Sequence, residues 1–260
     1  MLVIKYWSLF SVSFKQAWSK KANLSGILFF LFILIFIYNR LWEVIAADSY
    51  TTGLNRTYIW YLLFAEMIIL SNPKIDRILF DDIQSGTMAY YVNKPISFFF
   101  MRYVEAIGNM SVSFLIMGGF GSAITLIFTG TPPFEWWQFP IIFIMCYLSS
   151  CINVIMYTAI GMCALWLASI RTLAMAVERL AFTLGGAIFP LSIYPEWFVD
   201  IAKWTPFYSF YYLTIKLVYD FSFINLIQAI CLNTFWILLI GSFIGLAYRK
   251  LTKRINVYGG

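Results

Sequence analysis

The chain has 260 residues, of which 62% are hydrophobic and 20% aromatic, and its mean hydropathy is +0.80. Only 12% of the residues are charged, which is about half the usual fraction in globular proteins, and the net charge is +6. This composition excludes an ordinary soluble domain, and because membrane-length apolar segments separate the charges, it also excludes the basic solvated face of a nucleic-acid-binding protein.

The first predicted element is an amphipathic helix over residues 1–21. At about 100° per residue, one side is an aromatic stripe formed by Trp7, Phe10, Phe14 and Trp18. The opposite side is polar and consists of Lys5, Ser8, Lys15, Gln16, Ser19 and Lys20. We expect this helix to lie flat on the inner leaflet, with its aromatic side toward the acyl chains. A cleaved signal peptide fits poorly, because Arg40 and Glu43 interrupt the approach to a cleavage site.

Six apolar runs of membrane length follow, at residues 24–46, 57–72, 98–128, 139–168, 172–190 and 222–247. Each run is near or above the ~20 residues that one bilayer crossing needs. The sequence therefore predicts an all-α membrane protein, with six transmembrane helices in one transmembrane domain over residues 1–260.

Lysine and arginine predict the orientation of these spans. If the N-terminus is cytoplasmic, only four of the 18 basic residues fall outside, namely Arg40, Arg56, Lys203 and Lys216. An excess of Lys and Arg marks cytoplasmic segments, so both chain ends are expected in the cytoplasm.

Two outer segments, residues 131–137 and 194–198, combine prolines with tryptophans and phenylalanines that are typical of the membrane interface. Residues 190–220 are too polar for a clean span and too aromatic for a free loop. They are expected to form short re-entrant outer helices before the last span.

The inner connection over residues 73–97 is predicted to contain a short amphipathic helix. Apolar residues recur at helical spacing: Ile75, Ile78, Leu79 and Ile83. The other side carries Asp76, Asp81, Asp82 and Gln84, and Gly86 is placed to end the helix. Anionic lipid would repel these acids, so the pattern favours a protein partner, with a solvated interhelical turn as the alternative.

Polar residues inside the apolar runs are candidates for a translocation path. Glu66 would cost about 3 kcal/mol at mid-membrane, so it should face protein or water or stay protonated. A path residue and an intersubunit hydrogen bond remain equal alternatives for it. Arg102 and Glu105, spaced i, i+3, favour a structural ion pair over a substrate gate.

Asn153 belongs to a polar strip with Ser149 and Tyr157 on one helical face, which favours helix–helix contact over a pore. The small-residue patterns Gly118-x-x-x-Ser122 and Gly241-x-x-x-Gly245 favour close helix packing in the same way.

Metal and nucleophile chemistry has little support in this sequence. Histidine is absent, which excludes catalytic pairs and zinc sites built on imidazole. The cysteines lie in apolar stretches without C-x-x-C spacing, so buried structural thiols are expected at Cys146, Cys151, Cys163 and Cys231. No catalytic residue and no metal site are predicted.

The stretch DIQSGTMAYYVNKP, residues 82–95, resembles the sequence (D/E)-I-R-S-G-x-L-x-x-x-L-x-(R/K)-P that follows the second span of type-2 ABC transporter permeases. The resemblance extends to the N-terminal helix, the six spans and the aromatic segment 204–208. Gln84 and Met88 depart from the family pattern, which has Arg and Leu there.

This resemblance implies the permease subunit of an ATP-driven exporter in a bacterial plasma (inner) membrane. The permease would pair with a second permease, identical or homologous, and with ABC ATPase subunits that bind ATP and magnesium. This chain lacks G-x-x-x-x-G-K-[ST], so it is expected to be no enzyme itself and to hold no cofactor. The implied ATPase-coupling residues are Ile75, Arg77, Ile78, Asp81, Asp82, Gln84, Ser85, Gly86 and, in a second contact, Arg171.

Two other classes of function remain open. A membrane-embedded lipid-modifying enzyme would use Glu66, Glu105 and Glu178 as acid–base groups, although no nucleophile accompanies them. A passive channel would need pore-lining polar helices, and only the fourth run hints at one. Antibiotics, peptides, lipids and polysaccharides are all compatible with an aromatic-rich path.

Overall fold

The computed structural model describes residues 2–47, 54–92 and 97–258, and within these ranges the chain is helical and contains no strand. Its α-helices are α1 (Leu2–Ser19), α2 (Lys21–Ala47), α3 (Leu54–Leu70), α4 (Ile75–Gln84), α5 (Thr87–Val92), α6 (Phe98–Ile116), α7 (Ser122–Thr129), α8 (Phe139–Met162), α9 (Arg171–Leu184), α10 (Glu196–Lys203), α11 (Thr214–Lys216) and α12 (Phe223–Tyr258). π-helical turns at Met117–Gly121 and Tyr208–Leu213 precede α7 and α11.

Four helical stretches of the described chain are long and apolar enough to cross a membrane: Lys21–Val44, Phe98–Thr129, Phe139–Leu165 and Phe223–Tyr248. They match the first, third, fourth and sixth predicted runs, so the all-α prediction is confirmed for the described residues, and four of the six predicted spans have helices of membrane-spanning length. Helix α3 has 17 residues and α9 has 14, which is below the ~20 of a full crossing. The second and fifth spans therefore stay predictions.

Helix α3 is the centre of the bundle. Every residue from 59 to 68 is buried, and the ring of Trp60 packs edge-on against Phe134 with 5.2 Å between centroids. The Trp60 indole N–H donates to Thr129 Oγ1 at 3.1 Å, and the Tyr61 hydroxyl donates to the Gly186 carbonyl at 2.6 Å. Protein rather than lipid therefore surrounds α3.

Helix α12 has the opposite environment, because it exposes most of its apolar surface. Ile224, Leu238 and Leu246 are each more than 60% exposed. Its buried side is held by Asn233, whose amide nitrogen donates to Thr214 Oγ1 at 3.2 Å. Gly241 and Gly245 have open space around them, so the predicted close packing at this pair is wrong for the contacts that the structure describes.

The cysteine prediction holds only in part. Cys146 is buried, whereas Cys151 and Cys163 are half-buried and Cys231 is exposed on α12. The sequence placed Cys231 in an apolar stretch, and such a stretch on a peripheral membrane helix faces outward instead of inward.

Helix α1 crosses α6 at Gly108, where a Cβ atom would lie 2.7 Å from the Phe10 carbonyl oxygen. The most buried side chains of α1 are the small residues Ser13 and Ala17, while Trp7 is exposed. The predicted amphipathic helix is therefore present, with neighbouring rings of its aromatic stripe stacked on one another, while its contact with α6 is made by small residues. Small residues permit close approach to a neighbouring helix, and a hydrophobicity pattern does not register this.

The segment between α9 and α12 is folded from short pieces. Residues 209–213 are buried in a π-helical turn, and the Thr214 hydroxyl donates back to the Ser209 carbonyl at 3.1 Å. Close to α12, Lys216 pairs with Asp220 at 3.0 Å and holds the pKa of that carboxyl below its usual value. Whether these pieces re-enter a membrane stays a prediction.

Candidate functional site

Helix α4 lies at the end of the bundle where α3 and α8 finish and α6 and α9 begin, which we call the α4 end. Lys74 precedes the helix in a left-handed conformation, with φ of 53°, and its N–H donates to Asn72 Oδ1 at 3.0 Å. Gly86 follows the helix with φ of 77°, a conformation that favours glycine. The predicted helix and its stop at Gly86 are both present.

The faces of α4 differ from the prediction. Ile75, Asp76 and Leu79 are buried, whereas Ile78 is 40% exposed. The sequence assigned Ile78 to the apolar side and Asp76 to the polar side, and both assignments are wrong. The buried side is rotated toward Asp76 because α4 packs against α8 along that line. The exposed residues of the helix and its end are Arg77, Ile78, Asp81, Gln84, Ser85 and Gly86.

The contact between α4 and α8 is made at Gly161. A Cβ atom there would lie 2.8 Å from Leu79 Cβ and 3.1 Å from Asp76 Cα, so the two helices meet almost backbone to backbone. Sequence reasoning missed this residue. Its one signal is an isolated glycine near the end of an apolar run.

An ion-paired triad attaches α4 to α6. Arg102 Nε lies 2.7 Å from Asp82 Oδ2, and its Nη1 lies 2.8 Å from Glu105 Oε2. The third guanidinium nitrogen, Nη2, donates to Asp82 Oδ1 at 3.0 Å. The predicted Arg102–Glu105 pair is present. Asp82, predicted to face a partner, is instead occupied within the chain, so Asp81 is the exposed carboxylate of α4.

A cavity of about 460 Å³ opens at the α4 end, and we call it the α4 cavity. Arg77 and Asp81 of α4 line it together with Arg171 at the start of α9. The two predicted coupling segments, 94 residues apart between Arg77 and Arg171 in the numbering, therefore meet around one opening.

Asn153 lies at the inner part of the α4 cavity and is 1% exposed. Its amide nitrogen donates to the Ile68 carbonyl at 3.2 Å, which links α8 to α3. Its Oδ1 has no hydrogen-bond partner among the described residues. The three residues of the polar strip on α8 thus have different roles. Ser149 pairs with Thr214 at 2.9 Å and Tyr157 lines the cavity, whereas Asn153 both bonds to a neighbouring helix and lines the cavity.

Asp76 carries a buried carboxyl group on the wall of the same cavity. Burial raises its pKa, and the backbone N–H of Arg77 and the charges of Arg77 and Lys74 oppose that effect only partly. Ion pairs within the described residues do not include Asp76, so its charge is balanced at a distance.

The three glutamates of the enzyme hypothesis occupy different environments. Glu66 is buried in α3, 7% exposed, outside the α4 cavity. Glu105 is bound by Arg102, and Glu178 is exposed on α9 beside the cavity. No pair of them shares a cavity or a hydrogen bond in the part of the chain that the structure describes.

Part of the family-like stretch lies outside the described residues, since residues 93–96 include Lys94 and Pro95. No protein-family model matches this chain, and no curated protein matches it. Function is therefore inferred from the α4 end itself.

Proposed function

We propose that this chain is the permease subunit of an ATP-driven exporter that resembles the type-2 ABC transporters. It forms half of a dimeric translocation core in a bacterial inner membrane, with both ends in the cytoplasm. In this proposal α2, α3, α6 with α7, α8, α9 and α12 provide the six crossings, and separate ATPase subunits hydrolyse ATP.

The observation that carries the proposal is the attachment of α4. One side of this helix touches α8 at Gly161, and Asp82 binds α6 through Arg102. Asp81 is exposed on the opposite side, and Ile78 is 40% exposed beside the Asp82 contact. Because α4 is attached to two long helices and exposes its remaining surface, a partner that binds this surface and displaces α4 would also displace α6 and α8.

The α4 cavity supplies the second half of the mechanism. Arg77 and Asp81 lie on one side of its opening and Arg171 on the other, so a partner that moves α4 relative to α9 would change the opening. ATP-driven closure of two ATPase subunits is such a movement, and it would shift the permease between inward-open and outward-open states. The structure corresponds in this scheme to an inward-open state.

Basic residues support the cytoplasmic placement of the α4 end. Lys74, Arg77 and Arg171 are exposed there, as the positive-inside rule requires for cytoplasmic segments.

The test is to purify the tagged chain from its own membrane in mild detergent and to measure ATP hydrolysis in the eluate. We expect Ile78→Glu and Asp81→Lys to lower the co-purifying ATPase activity about tenfold, because 1.4 kcal/mol of lost contact energy has that effect. Asp200→Lys, at an exposed position of α10, is the matched control and should retain the activity.

The proposal fails if no ATPase accompanies the wild-type chain, or if the α4 variants and the α10 control behave alike. Turnover of lipid by the purified chain without ATP would favour the lipid-modifying enzyme instead.

A further inference from the structure

The α4 cavity contains one hydrogen-bond acceptor that the chain leaves unmatched and one buried carboxyl group that only backbone N–H groups contact, without an ion pair among the described residues. Asn153 Oδ1 is fully buried and has no partner among the described residues, and the Asn153 amide nitrogen is already engaged by the Ile68 carbonyl. Asp76 has a buried carboxyl group outside every ion pair that the structure describes. A buried acceptor without a donor destabilises the folded chain. A ligand that donates a hydrogen bond to this acceptor removes that cost, and the difference adds to its binding free energy.

The two acceptors lie at different depths. Asp76 is level with Gly161, where a Cβ atom would be 3.1 Å from Asp76 Cα. Asn153 is eight residues before Gly161 on the same helix, which at 1.5 Å per residue is about 12 Å along the axis. Ile69, Phe182 and the rings of Tyr157 and Tyr211 line the same cavity. A ligand that reaches both acceptors is therefore elongated and apolar in its middle.

The charged residues of the cavity favour a cationic ligand over an anionic one. Its one buried ionisable acid is Asp76, while Lys74, Arg77 and Arg171 are exposed at the opening. An anion that entered would meet Asp76 without a buried cation to balance it, whereas an ammonium group would pair with Asp76. The basic residues at the opening remain in contact with water, where their charges are screened.

We propose that the α4 cavity binds an amphipathic amine, whose ammonium group pairs with Asp76 and whose second N–H or O–H donor, at the other end of an apolar ring system, bonds to Asn153 Oδ1. Binding follows from the cavity alone, and only the statement that this amine is the exported substrate rests on the proposed function. Asn153 is then a specificity residue, because a molecule without the second donor leaves its oxygen unmatched.

Tryptamine is a suitable probe, because it carries an ammonium group on a flexible two-carbon chain at C3 of its indole ring and a separate donor, the ring N–H, at position 1. Binding of radiolabelled tryptamine is measured by equilibrium dialysis with the wild-type chain in nanodiscs, and empty nanodiscs correct for partition into lipid. 1-Methyltryptamine lacks the ring donor, tryptophol replaces the ammonium group with a hydroxyl, and indole-3-propionate replaces it with a carboxylate. These three compounds are measured as competitors.

We expect saturable tryptamine binding, about tenfold weaker competition by 1-methyltryptamine and by tryptophol, and the weakest competition by the anion. Asn153→Ala should remove the difference between tryptamine and 1-methyltryptamine, and Asp76→Asn the difference between tryptamine and tryptophol. Asn109→Ala and Asp200→Asn, which lie outside the cavity, should keep both differences.

The proposal is overturned if tryptamine shows no saturable binding, if indole-3-propionate competes as well as tryptamine, or if the two cavity variants keep the differences. The ligand series on the wild-type chain decides the matter even where a variant does not fold. Because the measurement contains no ATPase, a negative result leaves the co-purification test of the proposed function unaffected.

Discussion

The two ends of the bundle are closed in different ways. At the end opposite α4, direct hydrogen bonds join Trp60 to Thr129 and Tyr61 to the Gly186 carbonyl. At the α4 end a cavity of about 460 Å³ reaches inward, and the Asn153 oxygen on its wall has no partner among the described residues. Around Trp60 and Tyr61 the buried polar groups are thus satisfied within the chain, and we call this the sealed end, whereas the α4 end leaves the Asn153 oxygen for another molecule to satisfy.

This difference indicates where the molecule can change shape at low cost. Opening the sealed end breaks buried hydrogen bonds, whereas closing the α4 end requires a movement of α4 relative to α9 and breaks none of those bonds. The attachments of α4 then decide whether such a movement reaches the spans. The following predictions test the attachments first, then the seal, then the cavity.

The largest effect is expected for Gly161→Leu, which removes the backbone contact between α4 and α8. The new side chain would overlap Leu79 and the Asp76 backbone, and overpacking of this kind costs about 1–3 kcal/mol. We expect a clear fall of the melting temperature and a loss of most co-purifying ATPase activity. Gly245→Leu is the matched control, since no atom lies within 4 Å of a Cβ there. Equal effects of the two substitutions would contradict the α4–α8 contact.

Arg102→Met tests the attachment of α4 to α6. It leaves Asp82 and Glu105, 14% and 24% exposed, without their shared cation, and we expect a loss of about 2 kcal/mol of unfolding free energy. Arg40→Met breaks a pair of the same spacing whose side chains are 65% and 43% exposed, and its expected cost is below about 0.5 kcal/mol. Thermal unfolding of both variants in the same detergent gives the comparison. If Arg102→Met is as mild as Arg40→Met, the triad does not hold α4.

Tyr61→Phe removes one hydrogen bond from the sealed end. The bond is buried and 2.6 Å long, so its loss leaves the Gly186 carbonyl unmatched at a cost of about 1 kcal/mol. The variant should also label faster with a water-soluble thiol reagent at a cysteine introduced for Ala187, a fully buried residue beside Gly186. Tyr6→Phe, at a half-exposed position of α1, is the control and should change neither property. An unchanged labelling rate in Tyr61→Phe would show that this end is not sealed by that bond.

Asp76→Asn is expected to have the smallest effect on stability, and the size of this effect depends on pH. Burial raises the pKa of Asp76 in the folded state, so the folded chain holds this proton more tightly than the unfolded chain. The stabilisation that this proton gives is present at low pH and is lost as the pH rises through the folded pKa. The melting temperature of the variant minus that of the wild type should therefore rise from pH 4 to pH 7, by about 2 °C. A difference that falls over this range would contradict the burial of the charge.

The sequence predicted the helices far better than their surroundings. Apolar length identified α2, α6, α8 and α12, and the spacing of Ile75, Leu79 and Gly86 identified α4 and its end. Whether a helix faces protein or lipid could not be predicted from apolar length. Helices α3 and α12 are both largely apolar, yet α3 is buried and α12 is exposed. In a membrane protein an apolar surface is compatible with lipid and with protein alike.

The sequence predicted individual residues of the site but not the contacts between residues of different helices. Local spacing identified the Arg102–Glu105 pair, but Asp82 joins that pair from 20 residues away, and no periodicity relates the two helices. Gly161 gave no signal of its partner for the same reason. The sequence predicted that Asn153 makes a helix–helix contact, and the structure confirms it. Its unmatched oxygen could not be predicted, because it depends on which helices surround the α4 cavity.

Site-specific photocross-linking tests the central claim, that a separate ATPase acts on the exposed side of α4. A benzophenone amino acid replaces Ile78 on α4 in one variant and Trp197, an exposed aromatic residue of α10, in the other. After illumination in the native membrane, the cross-linked products are identified by mass spectrometry. We expect position 78, and not position 197, to yield a protein that carries the G-x-x-x-x-G-K-[ST] sequence, with a yield that changes when ATP is added. Equal products from both positions, or products from position 78 without a nucleotide-binding protein among them, would contradict the claim.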